Sequence, residues 1–242
     1  MQKEAQLFDD IVKARRSVRI YNDKAPFDSD AVKRSLERAI LAPNSSNLQL
    51  WEFYCVKTKS KKEELAKYCL GQNAAKTANE LIVFVARKDK WKQRAAFVLN
   101  EAKKDFPEKT GKREKLLVDY YTKIIPTLYF SDPVDLTGGL KSIVSMVGGA
   151  FQPIPREVTA ADMRVVVHKS VALAAQTFML SMQAEGYDTC PMEGFDSRRV
   201  KKFLGLPRAA EITMIVSVGT AKPEGIYGKR IRIPNEEVIF EI

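Results

Sequence analysis

The sequence predicts an α+β fold, and three observations carry that prediction. Val171, Ala174, Ala175, Phe178, Met179 and Met182 form an apolar stripe at helical spacing, within a stretch that calls for a long core helix. Trp51 to Val56, Leu81 to Ala86 and Glu211 to Val218 are short runs of strand length. Neither an internal repeat nor a clean linker divides the 242 residues, so one domain over 1–242 is expected.

The elements follow in order. Leu7, Phe8, Ile11 and Val12 recur on one face of a first helix, which gives way at Arg15-Arg16-Ser17-Val18-Arg19. Asp28 or Ser29 can cap a second helix with Val32, Leu36, Ala39 and Ile40 inward, stopped by Pro43. The polar loop of residues 44–49 leads into the strand from Trp51. Ser60-Lys61-Lys62-Glu63 has the pattern of a capping box for a short helix toward Tyr68. Leu81 to Ala86 is apolar on both faces, as a buried central strand is. Residues 88–130 look helical but broken around Pro107 and Gly111, and 131–155, rich in Gly and Pro, are expected to be loops or a lid. A capping pattern at Thr159 to Asp162 opens the long helix, which stops at Gly186. Asp196 caps another helix ending at Gly205, and the tail alternates as Arg230-Ile231-Arg232-Ile233-Pro234.

Composition excludes several classes. The longest unbroken apolar run is six residues, and the N-terminal residues lack a signal-peptide core, so a soluble cytoplasmic protein is expected, with no membrane partner. Cys55, Cys69 and Cys190 are too scattered for a zinc pattern, and Cys55 is expected to be a small buried hydrophobe. One histidine, His168, excludes a multi-histidine metal site, so no metal is expected, and without a G-x-S-x-G it indicates no triad. Neither a P-loop nor a G-x-G-x-x-G fingerprint occurs. The formal charge of +10 admits a nucleic-acid binder without catalysis, but the basic clusters carry interleaved acids and no recognition signature.

Four constellations remain. Arg15, Arg16, Ser17 and Arg19 place three cations and a hydroxyl within five residues, suited to a phosphate, though a basic helix end also suits the dipole. Pro43-Asn44-Ser45-Ser46-Asn47-Leu48-Gln49 offers amides and hydroxyls for a heteroaromatic edge, or a simple turn. Pro191-Met192-Glu193-Gly194-Phe195-Asp196 permits close backbone approach or a tight turn. Arg230 and Arg232 share a face if their segment is extended.

Together and in this order, the four motifs resemble the FMN-dependent nitroreductase family, over the first 90 residues and about the last 80. The resemblance implies a central, mostly antiparallel sheet flanked by helices, with a C-terminal tail extending toward the partner subunit. It implies bound FMN, with NADH or NADPH as hydride donor and two electrons passed to a nitroaromatic, quinone or related small-molecule acceptor by a ping-pong mechanism. A specialised relative, such as a flavin reductase, dehalogenase or ring-oxidising enzyme, is the alternative on the same fold. Carried over by position, Arg15, Arg16 and Ser17 would hold the phosphate and ribityl chain, with Arg230 and Arg232 closing on the phosphate. Arg19 would sit at N1 and O2 of the ring, and Glu193 and Gly194 would aim backbone N–H groups at N5 and O4; these three form the catalytic set. Pro43, Asn44, Ser45, Asn47 and Gln49 would reach the flavin of the other subunit of a homodimer. Gln72 or Asn73 would meet the pyrimidine edge, and Lys76 the phosphate. Residues 88–160 match no motif and are expected to shape the substrate site.

Overall fold

The computed structural model describes residues 2–132 and 134–242. In chain order, α1 (Gln2–Ala14) and α2 (Ser29–Ala39) lead to β1 (Trp51–Val56). Next come α3 (Lys59–Tyr68), the single turn α4 (Asn73–Lys76) and β2 (Glu80–Ala86). The middle of the chain forms α5 (Trp91–Lys103), α6 (Lys112–Asp119), a π-helical turn (Tyr120–Ile124), α7 (Ile125–Tyr129) and α8 (Leu136–Gly148). Then α9 (Ala160–Ala184), β3 (Asp188–Met192), α10 (Ser197–Phe203) and β4 (Glu211–Gly219) precede the tail.

The strands form one sheet in the order β1-β2-β4-β3, with every neighbouring pair antiparallel. β2 is buried along its whole length, because helices cover both faces of the sheet. Its side chains alternate between two cores, as the two-residue period of a strand requires. Ile82, Phe84 and Ala86 pack with Val216 and Val218 against α9 and α2. Leu81, Val83 and Val85 pack with Ile215, Cys190 and Met192 against α3 and α10. The expected stripe of α9 is what meets the sheet: Val171, Ala174, Ala175, Phe178 and Met182 are fully buried. By length and composition α9 could cross a membrane, but its apolar face is occupied by this core. The capping box of Thr159 and Asp162 and the Asp28 cap on α2 form as expected.

Several expectations need correction. Residues 136–148 are helix rather than loop. Leu136, Leu140, Ile143, Val144 and Val147 recur at helical spacing there, and the Asp132 carboxylate accepts the Leu136 and Thr137 N–H groups at 3.1 and 2.7 Å. β3 was not apparent in the sequence, since Pro191 and short polar residues disguise it; proline is tolerated at a sheet edge. Helix α3 starts at Lys59 behind Thr58, with no side-chain cap, so the Ser60 box does not form. Cys55 is exposed, because β1 is an edge strand and the side chain opens on a groove of about 330 Å³ beside α2. Ile40 is 48% exposed, since α2 ends at Ala39 and carries it off the buried stripe. The tail is irregular through Arg230 to Pro234, with 3₁₀ turns at Pro223–Gly225 and Asn235–Glu237.

Candidate functional site

The head and the tail of the chain meet at the free edge of β3. Ser17 forms a parallel bridge to Thr189, with the Val18 N–H donating to the Thr189 carbonyl at 3.1 Å. On its other side, the Arg19 N–H donates to the Gly225 carbonyl at 2.7 Å. Val18 is fully buried, so in this extended segment its neighbours Ser17 and Arg19 turn the opposite way. Gly225 is required for the close approach: a Cβ there would lie 2.4 Å from the Ile20 carbonyl oxygen.

The tail then folds back over this edge. Arg230 Nη2 donates to the Lys13 and Arg15 carbonyls at 2.9 and 2.6 Å, closing the C-terminal end of α1. In return, Arg16 Nη2 donates to the Gly228 carbonyl at 2.5 Å. Between head and tail lies a cavity of about 340 Å³, lined by Arg15, Arg16, Ser17 and Arg19 from the head and by Tyr227, Lys229, Arg230 and Arg232 from the tail. Its wall holds six cations and no carboxylate.

This charge is unbalanced. Burial, and then the neighbouring Arg230 and Arg232 guanidinium groups, push the Arg15 guanidinium below its ordinary value. Arg15 and Arg19 donate no side-chain hydrogen bond among the described residues. Such a wall fits a dianion: the charges repel until an anion joins them, and the Ser17 hydroxyl adds a neutral donor. The structure therefore brings together all five arginines and the serine named from the two ends of the sequence. Lys229 and Tyr227 were missed, although Gly228-Lys229-Arg230 continues the basic tail.

Glu193 and Gly194 follow the end of β3, on the same edge of the sheet, and both are exposed. Gln72 pins this turn: its Nε2 donates to the Gly194 carbonyl at 2.7 Å and to the Cys69 carbonyl at 3.1 Å. Among the described residues no acceptor takes the Gly194 N–H. Asn73 is exposed at the start of α4, and the Lys76 ammonium lies over Gly71, outside the arginine-lined cavity.

The loop of Pro43, Asn44, Ser45, Asn47 and Gln49 is not brought to this edge. It precedes β1, at the other side of the sheet, and Trp51 pairs with Ala86 at the end remote from Thr189. Three strand spacings of about 4.8 Å and about six residues of rise separate the two places by roughly 25 Å. The loop is held in an unusual backbone: Ser46, Asn47 and Gln49 have φ of 56°, 51° and 49°. Asn44 Oδ1 accepts the Gln49 N–H at 2.9 Å, and Ser170 Oγ accepts the Ser45 N–H at 3.2 Å. Beside the loop, α5 and α6 enclose a cavity of about 890 Å³ lined by Phe106, Leu116, Leu117 and Tyr120, with Lys112 and Arg113 at its wall. His168 lies elsewhere, with Nδ1 2.9 Å from Thr213 Oγ1, and takes no part in either site.

An anion cradle thus lies on the edge of an antiparallel sheet between helical layers, a lining suited to a phosphate. More particularly, the Nitroreductase family model matches residues 12–220, and the chain belongs to that family. Among relatives, Bacillus subtilis YdgI, provisionally named an NAD(P)H nitroreductase, is 26% identical over 228 residues, covering 93% of this chain and 94% of its own. The solved structure of Bacillus subtilis ydfN, provisionally named a nitroreductase, superposes with a TM-score of 0.75 at 23% identity, covering 98% of this chain and all of that one. A similarly named protein of Exiguobacterium sibiricum, solved in complex with FMN, gives a TM-score of 0.67 at 21% identity over 97% of each chain. At these identities the two structures establish the fold.

Proposed function

We propose that the protein is an FMN-dependent oxidoreductase that takes hydride from NADH or NADPH and reduces a nitroaromatic, quinone or related acceptor. The observation that carries this reading is the acid-free cavity of six cations where head and tail meet. Arg15, Ser17 and Arg232 bind the FMN phosphate, while Arg16 and Arg230 hold the two chain ends together around it. Arg19 lies at the N1 and O2 side of the ring, where a cation favours negative charge. Gln72 orients the Gly194 turn so that its free N–H faces N5 and O4. When bound, FMN supplies the hydride transfer, which explains why no protein nucleophile is needed.

The site is shared between two copies of the chain. The loop of Pro43 to Gln49 lies too far from the arginine cradle to serve the same cofactor within one protomer, so the partner supplies it. In support, α1 buries none of its residues, and Leu7 and Phe8 are 62% and 56% exposed, as is typical of a face awaiting cover. Ile231, Ile233, Ile239 and Phe240 make the tail a second such surface. The cavity between α5 and α6 next to that loop receives the acceptor, with aromatic and aliphatic walls for a planar ring.

Purified protein should be yellow, dimeric by light scattering, and should oxidise NAD(P)H when given an acceptor. A colourless protein that instead binds DNA tightly and salt-sensitively would overturn the reading.

A further inference from the structure

We infer that Tyr120 and Tyr121, on the π-helical turn, are positioning residues that hold the strained Ser45–Gln49 loop in its cofactor-binding shape. The inference rests on the reading of that loop as part of a partner's FMN site, and it assigns a task to a segment that matched no motif.

Two tyrosines that are adjacent in sequence converge on one residue. The Tyr120 hydroxyl lies 2.7 Å from Ser46 Oγ, and the Tyr121 hydroxyl donates to the Ser46 carbonyl at 2.9 Å. In a regular α-helix, consecutive side chains point about 100° apart. Here the turn Tyr120–Ile124 is π-helical, a local widening that recurs at functional sites. The two rings meet edge to face, 5.3 Å apart at 88°. Tyr121 is 8% exposed, so its hydroxyl has little water to turn to, and burial followed by the proximity of Tyr120 raises it above the ordinary phenol range.

Ser46 is the residue that most needs holding. At φ 56° and ψ 20° it occupies the left-handed region, and Asn47 and Gln49 do so as well. Non-glycine residues persist there only where their surroundings over-determine them. The surroundings include the two tyrosine hydroxyls, with Ser170 Oγ on the Ser45 N–H at 3.2 Å and Asn44 Oδ1 on the Gln49 N–H at 2.9 Å. Without the two hydroxyls Ser46 loses the partners of its side chain and carbonyl, and the loop relaxes toward right-handed backbone, turning the side chains of Asn47 and Gln49. Tyr120 also lines the α5–α6 cavity, so a single side chain joins the acceptor side to the cofactor loop.

The test uses the full-length protein with Tyr120→Phe, Tyr121→Phe, Ser46→Ala and the Tyr120→Phe/Ser46→Ala double variant. Phenylalanine keeps the ring packing and removes only the hydroxyl, and half-buried Ser46 tolerates alanine without threat to the fold. The expected result is a two- to tenfold weaker FMN affinity for each tyrosine variant, the worth of one hydrogen bond, with the cofactor-free melting temperature lowered by no more than a few degrees. The double variant should be no weaker than the worse single one, as partners in one bond behave. Amide hydrogen exchange of residues 45–49 should quicken in the same variants, with or without FMN. Affinities within twofold of wild type, together with unaltered exchange, would overturn the inference. Additive losses in the double variant would refute the Tyr120–Ser46 pairing. If wild type binds no FMN, the functional reading fails by itself, and hydrogen exchange still decides whether the clamp exists.

Discussion

Replacing Arg15 with alanine should weaken FMN binding while leaving the cofactor-free protein as stable as before, or slightly more so. Among the described residues Arg15 donates no side-chain hydrogen bond and lies among like charges, with burial and then Arg230 and Arg232 lowering its pKa. Its removal therefore forfeits no bond and relieves repulsion. With a phosphate present the sign reverses, because a charge-assisted hydrogen bond contributes about 1.5–3 kcal/mol, or roughly 10- to 150-fold in affinity. Arg15 is only half-buried, which places the loss toward the lower end of that range. At saturating FMN a tenfold loss removes about 1.4 kcal/mol of ligand stabilisation, a fall in Tm of roughly 3–6 °C for a chain of this size. Fluorescence titration with FMN and thermal melts with and without it measure both halves. If Arg15→Ala keeps stoichiometric FMN through extensive dilution, the phosphate assignment is wrong. If the cofactor-free Tm falls as far as the loaded one, Arg15 supports the fold and not the ligand.

Arg230→Ala should behave differently and lower the cofactor-free Tm as well, because its guanidinium closes two carbonyls at the end of α1, worth on the order of 1 kcal/mol. Gly225→Ala should cost about 1–3 kcal/mol by urea unfolding and release FMN, since its Cβ would press on the Ile20 carbonyl beneath the cradle. Arg19→Ala should reduce turnover more than flavin content, and steady-state rates at several acceptor concentrations should give parallel double-reciprocal lines. Intersecting lines would contradict a single site visited in turn by donor and acceptor. Glu185, paired with Arg34 and Arg38 at 2.7 and 2.5 Å, has its carboxyl lowered to about 2 by those two hydrogen-bonded guanidinium groups. A depressed carboxylate stabilises above its unfolded pKa of about 4.3 and loses that contribution as pH falls toward 2. Glu185→Gln should flatten the stability curve in that window, and an unchanged slope between pH 4.5 and 2 would refute the pairing.

The sequence by itself determined what depends on local period and local chemistry. Leu81 to Ala86, apolar at every position and of strand length, read as a strand covered on both faces, and the stripe from Val171 to Met182, recurring about every 3.6 residues, read as a core helix. The cations at Arg15 to Arg19 and at Arg230 and Arg232 were legible by residue type as groups suited to a phosphate. Tertiary structure alone decided that they form one site: Ser17 reaches Thr189, and Arg230 reaches Lys13, across separations that no periodicity encodes. It also decided the elements whose own composition argued against them. β3 exists because β4 offers it a ladder despite Pro191, and α8 exists because Asp132 caps it despite Gly138 and Gly139. The convergence of Tyr120 and Tyr121 on Ser46 had no signal in the sequence, since a π-turn is set by packing and not by residue preference. Short-range patterns specify elements, and where those elements meet depends on burial summed over the whole chain.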